Sequence, residues 1–142
     1  MYWSSKRKVM IPATVAIGFI VASCGESKIT QCNKLNQVIN QADAATKTAK
    51  TGKPAALKRS ASELEKVVLQ LKAVEVEDEK LQSLQASFVT LHTDISKSFR
   101  KMAVAIEKQN PDAIESSLKF LKQARKQDTA LVKEINTYCA SK

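Results

Sequence analysis

Three cysteines and one histidine are the side chains of this 142-residue sequence with the most distinctive chemistry. Cys24 ends the stretch Val21-Ala22-Ser23-Cys24, which closes an apolar run from residue 9 to residue 22. That run is too short to cross a bilayer comfortably, because a crossing takes about 20 residues. Lys6-Arg7-Lys8 precedes it. Positive residues, a short apolar run and small residues at its end together predict an export signal over residues 1–23 that is removed.

The end of this segment resembles the lipobox of bacterial lipoproteins, with valine in place of the more usual leucine three residues before the cysteine. The resemblance implies diacylation of the Cys24 thiol, cleavage before Cys24 and acylation, for example by palmitate, of the new amino terminus. It also implies a location at the extracytoplasmic face of a plasma, outer or thylakoid membrane. The alternatives are an ordinary secretory signal or an uncleaved anchor that ends in cysteine.

The other two cysteines, Cys32 and Cys139, form an even pair once Cys24 carries lipid. Disulfides persist in the oxidising compartments that exported proteins reach. We therefore predict a Cys32–Cys139 disulfide, which would stabilise the fold by roughly 4–5 kcal/mol in the chain-entropy description. The spacings CxxC and CxxCH are absent from the sequence, which gives no support to a zinc ribbon or a c-type haem.

His92 is the single histidine and lies beside Leu91 at the edge of an apolar stripe. A lone histidine in that position is more often a flanking side chain than a metal ligand or a catalytic base. His92 and Met102 are about 15 Å apart along one helix, so they cannot ligate one haem iron together. No serine or threonine has a suitable acid-base partner in the sequence pattern. We predict a non-enzymatic protein with no metal and no cofactor.

The net charge and the aromatic content limit the kinds of partner that the protein could bind. Of the 23 Lys and Arg residues three lie in the first 23 residues, which leaves 20 against 14 acids and a net charge of +6 for residues 24–142. This balance suits either anionic lipid headgroups, an acidic protein surface or simply a solvated helical surface. Nucleic-acid binding is not expected, because Tyr2 and Trp3 are lost with the signal and most remaining rings fit a core.

The pattern of residues 24–142 predicts one domain, an all-α, up-down-up-down four-helix bundle. Glycine and proline are scarce, and they stand where helices should end or begin: Gly52, Pro54 and Pro111. Apolar residues recur at steps of three and four, which gives each helix one amphipathic stripe. The expected helices span about 27–50, 54–73, 78–109 and 111–138.

Helix lengths predict which end of the bundle holds which residues. In an up-down-up-down bundle the start of the first helix and the end of the fourth lie at one end, so Cys32 and Cys139 should come within disulfide range. The third and fourth helices are about ten residues longer than the first two. Their hairpin should project about 15 Å beyond the Gly52 turn. Four apolar residues would then be poorly covered and form a partner surface rimmed by charge: Met102, Val104, Ile106 and Ile114.

Two further resemblances concern the rest of the chain. The segments from Leu131 to Cys139 and from Asp78 to Gln85 are similar to small uncharacterised lipoproteins of cyanobacteria. The terminal Lys142 is similar to the terminal lysine of the major peptidoglycan-linked lipoprotein of enteric bacteria, which is joined to the cell wall. That likeness implies wall attachment as an alternative role.

These observations together predict a membrane-tethered helical lipoprotein that binds an unknown protein partner and serves assembly or envelope stabilisation. The tether makes association two-dimensional, so a weak surface is sufficient. The alternative is a carrier of a small ligand or haem in the bundle interior.

Overall fold

The computed structural model describes residues 25–141 and contains four α helices. Residues 1–24, with the expected signal and Cys24, and Lys142 lie outside the described residues. A short 3₁₀ segment follows α1 and spans Lys47–Thr51. The helices are α1, Lys28–Thr46, α2, Pro54–Ala73, α3, Glu79–Glu107, and α4, Pro111–Ala140.

Side-chain caps and prolines explain where the helices begin. Ser27, Asp78 and Asn110 each accept a hydrogen bond from the backbone N–H three residues ahead, which satisfies one of the unpaired donors of a first helical turn. Pro54 and Pro111 occupy the first turn, where a missing N–H has no cost. The predicted starts of α2 and α4 are confirmed.

The helix ends differ from the prediction in three places, one of which is α4, which continues to Ala140 rather than ending at residue 138. The α-helical part of α1 ends at Thr46 rather than near Lys50, and the chain tightens into the 3₁₀ segment before Gly52 takes a left-handed conformation, φ 67°. α3 ends at Glu107 rather than at Gln109, because Gln109 itself adopts the left-handed region, φ 52°. Both left-handed residues close a helix, as glycine or asparagine commonly does.

The predicted up-down-up-down topology is confirmed. α2 packs on α1 and α3, and α4 packs on α3, all antiparallel. The single core between them is apolar and includes the fully buried Leu35, Leu64, Leu81, Phe88 and Ile135. The interior, where the ligand-carrier alternative would place its ligand, is occupied by these side chains. Ile29, three residues before the buried Cys32 on α1, is exposed.

The predicted projection of the α3–α4 hairpin is wrong. The side chain of Gln85 donates to the carbonyls of Leu71 and Val74, so α2 ends level with Gln85, about 9 Å along α3 from Glu79. The connecting residues 74–78 are not helical, and Val74 and Asp78 have extended backbone. Such a connection covers that distance, since extended chain rises about 3.3 Å per residue. The first turn of α2 therefore reaches the last turn of α3, where Lys58 and Glu107 form an ion pair.

Candidate functional site

The disulfide lies at the end of the bundle where α1 begins and α4 ends. Cys32 and Cys139 are bonded, with Cα atoms 5.9 Å apart and 107 residues between them in sequence, which confirms the predicted pairing. Gly25, the first described residue, lies at this end, because a Cβ on it would come within 2.6 Å of the Glu77 carboxylate. We call this the proximal end, and the end with Gly52 and the α3–α4 turn the distal end.

Polar side chains close the proximal end around the start of α3. The side-chain oxygen of Gln31 accepts hydrogen bonds from the N–H groups of Glu77 and Asp78, at 2.8 and 3.1 Å. The Tyr138 hydroxyl donates to Asp78 at 2.7 Å, and Lys28 Nζ lies 4.5 Å from the centre of the Tyr138 ring. These contacts join α1, the α2–α3 loop and α4 at one point.

Two titratable groups of this cluster have shifted pKa values. The backbone N–H of Leu81 and the Tyr138 hydroxyl both donate to the Asp78 carboxylate and lower its pKa. The same hydrogen bond to Asp78 raises the pKa of Tyr138. Asp78 therefore remains ionised and acts as the N-cap of α3. We interpret the cluster as structural, since each of its side chains contacts either backbone groups or a residue of a neighbouring helix.

The predicted partner surface does not form one patch. Met102 is 8% exposed and belongs to the core, so its expected exposure is wrong; α2 reaches it because the hairpin does not project. Ile106 and Ile114 are half-buried on the inner side of the distal end. Val104 is 41% exposed and lies two residues from Ile106, which places it on the opposite side of α3.

Val104 belongs to an open groove on the outer side of the hairpin. Its apolar floor is short, because Ala105 and Ala113 are small and Ser117 is polar. Arg100, also at this groove, is bound by Glu65 through two hydrogen bonds at 2.9 and 2.8 Å. The groove thus offers few large apolar contacts to a partner.

Two exposed apolar residues of α4, Leu118 and Phe120, are functional candidates that the sequence pattern did not indicate. Leu118 follows Ile114 by four residues, so helical spacing alone places it on the apolar stripe of α4 and predicts a buried side chain. It is 50% exposed in the structure. The exposure of Leu118 depends on where α1 lies beside α4, and the spacing of apolar residues within α4 gives no information about that.

His92 is buried in the bundle instead of lying on its flank. It is 3% exposed and stacks on Phe88, with ring centres 5.9 Å apart. Neither ring nitrogen has a hydrogen-bond partner among residues 25–141, and Nε2 lies 3.5 Å from Asp128 Oδ1. Burial lowers the pKa of His92 to about 4, so the ring is neutral at pH 7.

Asp128, on α4, faces His92, and its pKa is also affected by a residue of α1. Partial burial raises the pKa of Asp128, and the negative charge of Asp43 raises it further. Asp43 and Asp128 are therefore neighbours across the α1–α4 contact. Within residues 25–141 no three histidine, cysteine or acidic side chains converge as a metal site would require.

No protein family matches this chain, and no curated protein or solved structure matches it either. Among the helices of residues 25–141, none has the length and apolarity to cross a membrane.

Proposed function

We propose that the protein is a lipid-anchored, extracytoplasmic helical module that binds another protein and has no enzymatic activity. Cys24 carries the anchor, and the role of the bound complex is assembly or stabilisation at the cell envelope. The observation that carries the proposal is the placement of the two ends of the bundle. Gly25 and the disulfide lie at the proximal end, and the α3–α4 turn lies at the distal end.

The length of α4 sets the distance between the anchor and the distal surface. α4 has 30 residues, which corresponds to about 45 Å at 1.5 Å per residue. A lipid on Cys24 is one residue from Gly25 and would hold the proximal end at the bilayer. The distal end would then stand clear of the headgroups, where it can meet a partner.

The charges are divided between the two ends in a way that suits this orientation. The distal half, residues 44–66 and 94–125, has 13 basic and 6 acidic residues, a net charge of +7. The rest of residues 25–141 has 6 basic and 8 acidic residues, a net charge of −2. The basic half lies at the end away from the anchor, where its positive charge suits an acidic partner surface.

The disulfide supports an extracytoplasmic location. Disulfides of this kind persist where the compartment is oxidising and are rare in the reducing cytosol. The position of His92 supports a non-enzymatic role, since its ring is 3% exposed and it does not line the groove at Val104.

The anchor is tested with a Cys24→Ser variant in the native cell. We expect the wild-type protein to fractionate with membranes and to begin with a lipid-bearing residue 24 by mass spectrometry of the purified protein. Cys24→Ser should leave the membrane fraction, whereas the Cys32→Ser, Cys139→Ser double variant should keep the lipid. A wild-type protein without acylation at Cys24 would contradict the anchor.

The binding role is tested by chemical crosslinking in intact membranes followed by mass spectrometry of the crosslinked peptides. We expect crosslinks from lysines of the distal half to a second protein. Wild-type membranes that give crosslinks only within this chain would contradict the binding role. The measurement does not depend on which distal surface is used.

A further inference from the structure

One side of the distal half of α4 lacks the helix neighbour that covers it at the proximal end. Leu118 lies three heptads before Cys139, and Arg125 lies two heptads before it. Both residues are therefore on the side of α4 that faces α1 at the disulfide. Asp128 on this side is close to Asp43 of α1. Because the helices are antiparallel, Lys47 is level with Ala124 and Arg125, and α1 ends at this level.

The chain leaves α4 at that level because the 3₁₀ segment turns onto α2. The hydroxyls of Thr48 and Ser60 are 2.7 Å apart, and Ser60 is fully buried. The 3₁₀ segment makes most of its contacts with α1 and α2. From Pro111 to Ala124 this side of α4 has therefore no covering helix among residues 25–141, so the distal half is a three-helix arrangement. We call the open region between the 3₁₀ segment and residues 111–124 the distal cleft.

The floor of the distal cleft is apolar. Ile114, Leu118 and Leu121 follow one another at steps of four and three and form a continuous strip along α4. Leu118 is 50% exposed, and the other two are half-buried. A strip of this kind on one helix is what a second helix packs against in a bundle.

The rim of the distal cleft is basic. Lys122 and Arg125 follow Leu118 and Leu121 by four residues each, and Lys47 lies across the cleft at the start of the 3₁₀ segment. All three are exposed and make no ion pair with residues 25–141. Lys50 and Lys119 add further positive charge, against Asp112 and Glu115 on the same part of α4.

We infer that the distal cleft binds an amphipathic helix with acidic flanks from a partner protein, which completes a four-helix arrangement at the distal end. The apolar strip selects a helix with apolar residues at steps of three and four, and the unpaired basic rim selects acidic residues beside them. The uncovered part of α4 is 14 residues, about 21 Å, so the bound helix has about four turns. This inference rests on the proposed protein-binding function.

A second copy of this chain is a poorer occupant than a separate partner. The acidic run of this chain, Glu75 to Glu79, lies in the α2–α3 loop and first turn of α3 at the proximal end. Gln31 and Tyr138 hold its backbone and the Asp78 carboxylate there. It therefore offers no acidic helix face, and lipid anchors on two copies would keep both proximal ends at the same bilayer.

The test is photocrosslinking in the native cell with benzoylphenylalanine in place of Leu118, in the otherwise unchanged full chain. The matched control is the same replacement of Leu69, which is 66% exposed on α2 and lies away from the cleft. The same replacement of Val104, at the groove on the outer side of the hairpin, tests a different distal surface. We expect a crosslink from position 118 but not from position 69. Mass spectrometry should place the crosslinked peptide in a partner segment that has helical apolar spacing and net negative charge. The double change Lys122→Glu, Arg125→Glu should lower the yield at least about fivefold, as expected when a charge-complementary rim is reversed.

Several results would overturn the inference. They are an absence of protein crosslinks from position 118, crosslinks to lipid or to a second copy, and a crosslinked segment that is basic or lacks helical spacing. Protein crosslinks from position 104 or 69 with none from position 118 would rule out the distal cleft as the binding site but would agree with the proposed protein-binding function. No protein crosslink from any of the three positions would count against both. Circular dichroism of each variant checks that the helices are retained.

Discussion

The Nε2 atom of His92 lies 3.5 Å from Oδ1 of Asp128, and neither nitrogen of the buried ring is hydrogen bonded within residues 25–141. A neutral imidazole is tolerated in this position, because burial lowers its pKa to about 4. A protonated ring would be held in the core beside a carboxyl group whose own ionisation is disfavoured, since burial and the charge of Asp43 raise the pKa of Asp128. The burial of His92 therefore makes stability depend on pH.

Acidification should destabilise the protein through His92. The folded-state pKa, about 4, is below the unfolded value near 6.5, so protons bind preferentially to the unfolded chain and stability falls as the pH drops below about 6.5. The loss should be roughly 2 kcal/mol between about pH 7.5 and pH 5 and should level off below about pH 4. Urea unfolding at several pH values measures it.

The variant His92→Leu isolates this effect, because the chain has no other histidine. It should show a much flatter stability profile over the same pH range. Glu65 and Asp78, whose pKa values are lowered, lose their stabilising effect only at more acidic pH, below their unfolded values near 4. An equally steep decline in His92→Leu and in the wild type would mean that another group is responsible.

Reduction of the Cys32–Cys139 disulfide should lower the free energy of unfolding by roughly 4–5 kcal/mol, because it releases a constraint on a long loop of the unfolded chain. Urea unfolding with and without a thiol reductant gives the difference. The Cys32→Ser, Cys139→Ser double variant should be destabilised and should not respond to the reductant. A wild-type protein that is indifferent to the reductant would show that the bond is not formed or contributes little.

Gln31→Ala should loosen the α2–α3 loop. Its side-chain oxygen accepts from two backbone N–H groups, and part-buried donors left unpaired cost about 1–3 kcal/mol. Hydrogen exchange should accelerate at Glu77 and Asp78. Gln41→Ala, an exposed position on the same helix, is the control and should change neither exchange nor stability. Equal behaviour of the two variants would count against the role of Gln31.

Met102→Ala and Val104→Ala test the corrected burial of the distal end. Truncating the buried Met102 should cost about 2–5 kcal/mol, because it leaves a cavity under α2. Truncating the exposed Val104 should change stability by less than about 0.5 kcal/mol. Denaturant unfolding separates the two. Similar small decreases in the free energy of unfolding for both variants would indicate that Met102 is poorly covered.

Much of the local structure follows from the sequence. The starts of α2 and α4 coincide with the first-turn prolines, and the stripes of α2 and α3 correspond to buried residues, because caps and periodicity act within a single helix. The disulfide was also predictable, since two cysteines on apolar stripes reach the same end of an antiparallel bundle. These features depend on residues close together in sequence or on topology alone.

Only the tertiary structure decided the register of the helices, and with it the candidate site. The connecting residues 74–78 shift α3 past the end of α2, which buries Met102. The 3₁₀ segment packs on α2, where Thr48 is hydrogen bonded to Ser60, and Leu118 is left exposed. The spacing of apolar residues specifies which side of a helix is apolar. It does not specify how far one helix is offset along the next, because a loop spans different distances when it is extended and when it is helical. Which apolar residues find a neighbour therefore depends on contacts between segments that the pattern of each segment does not contain.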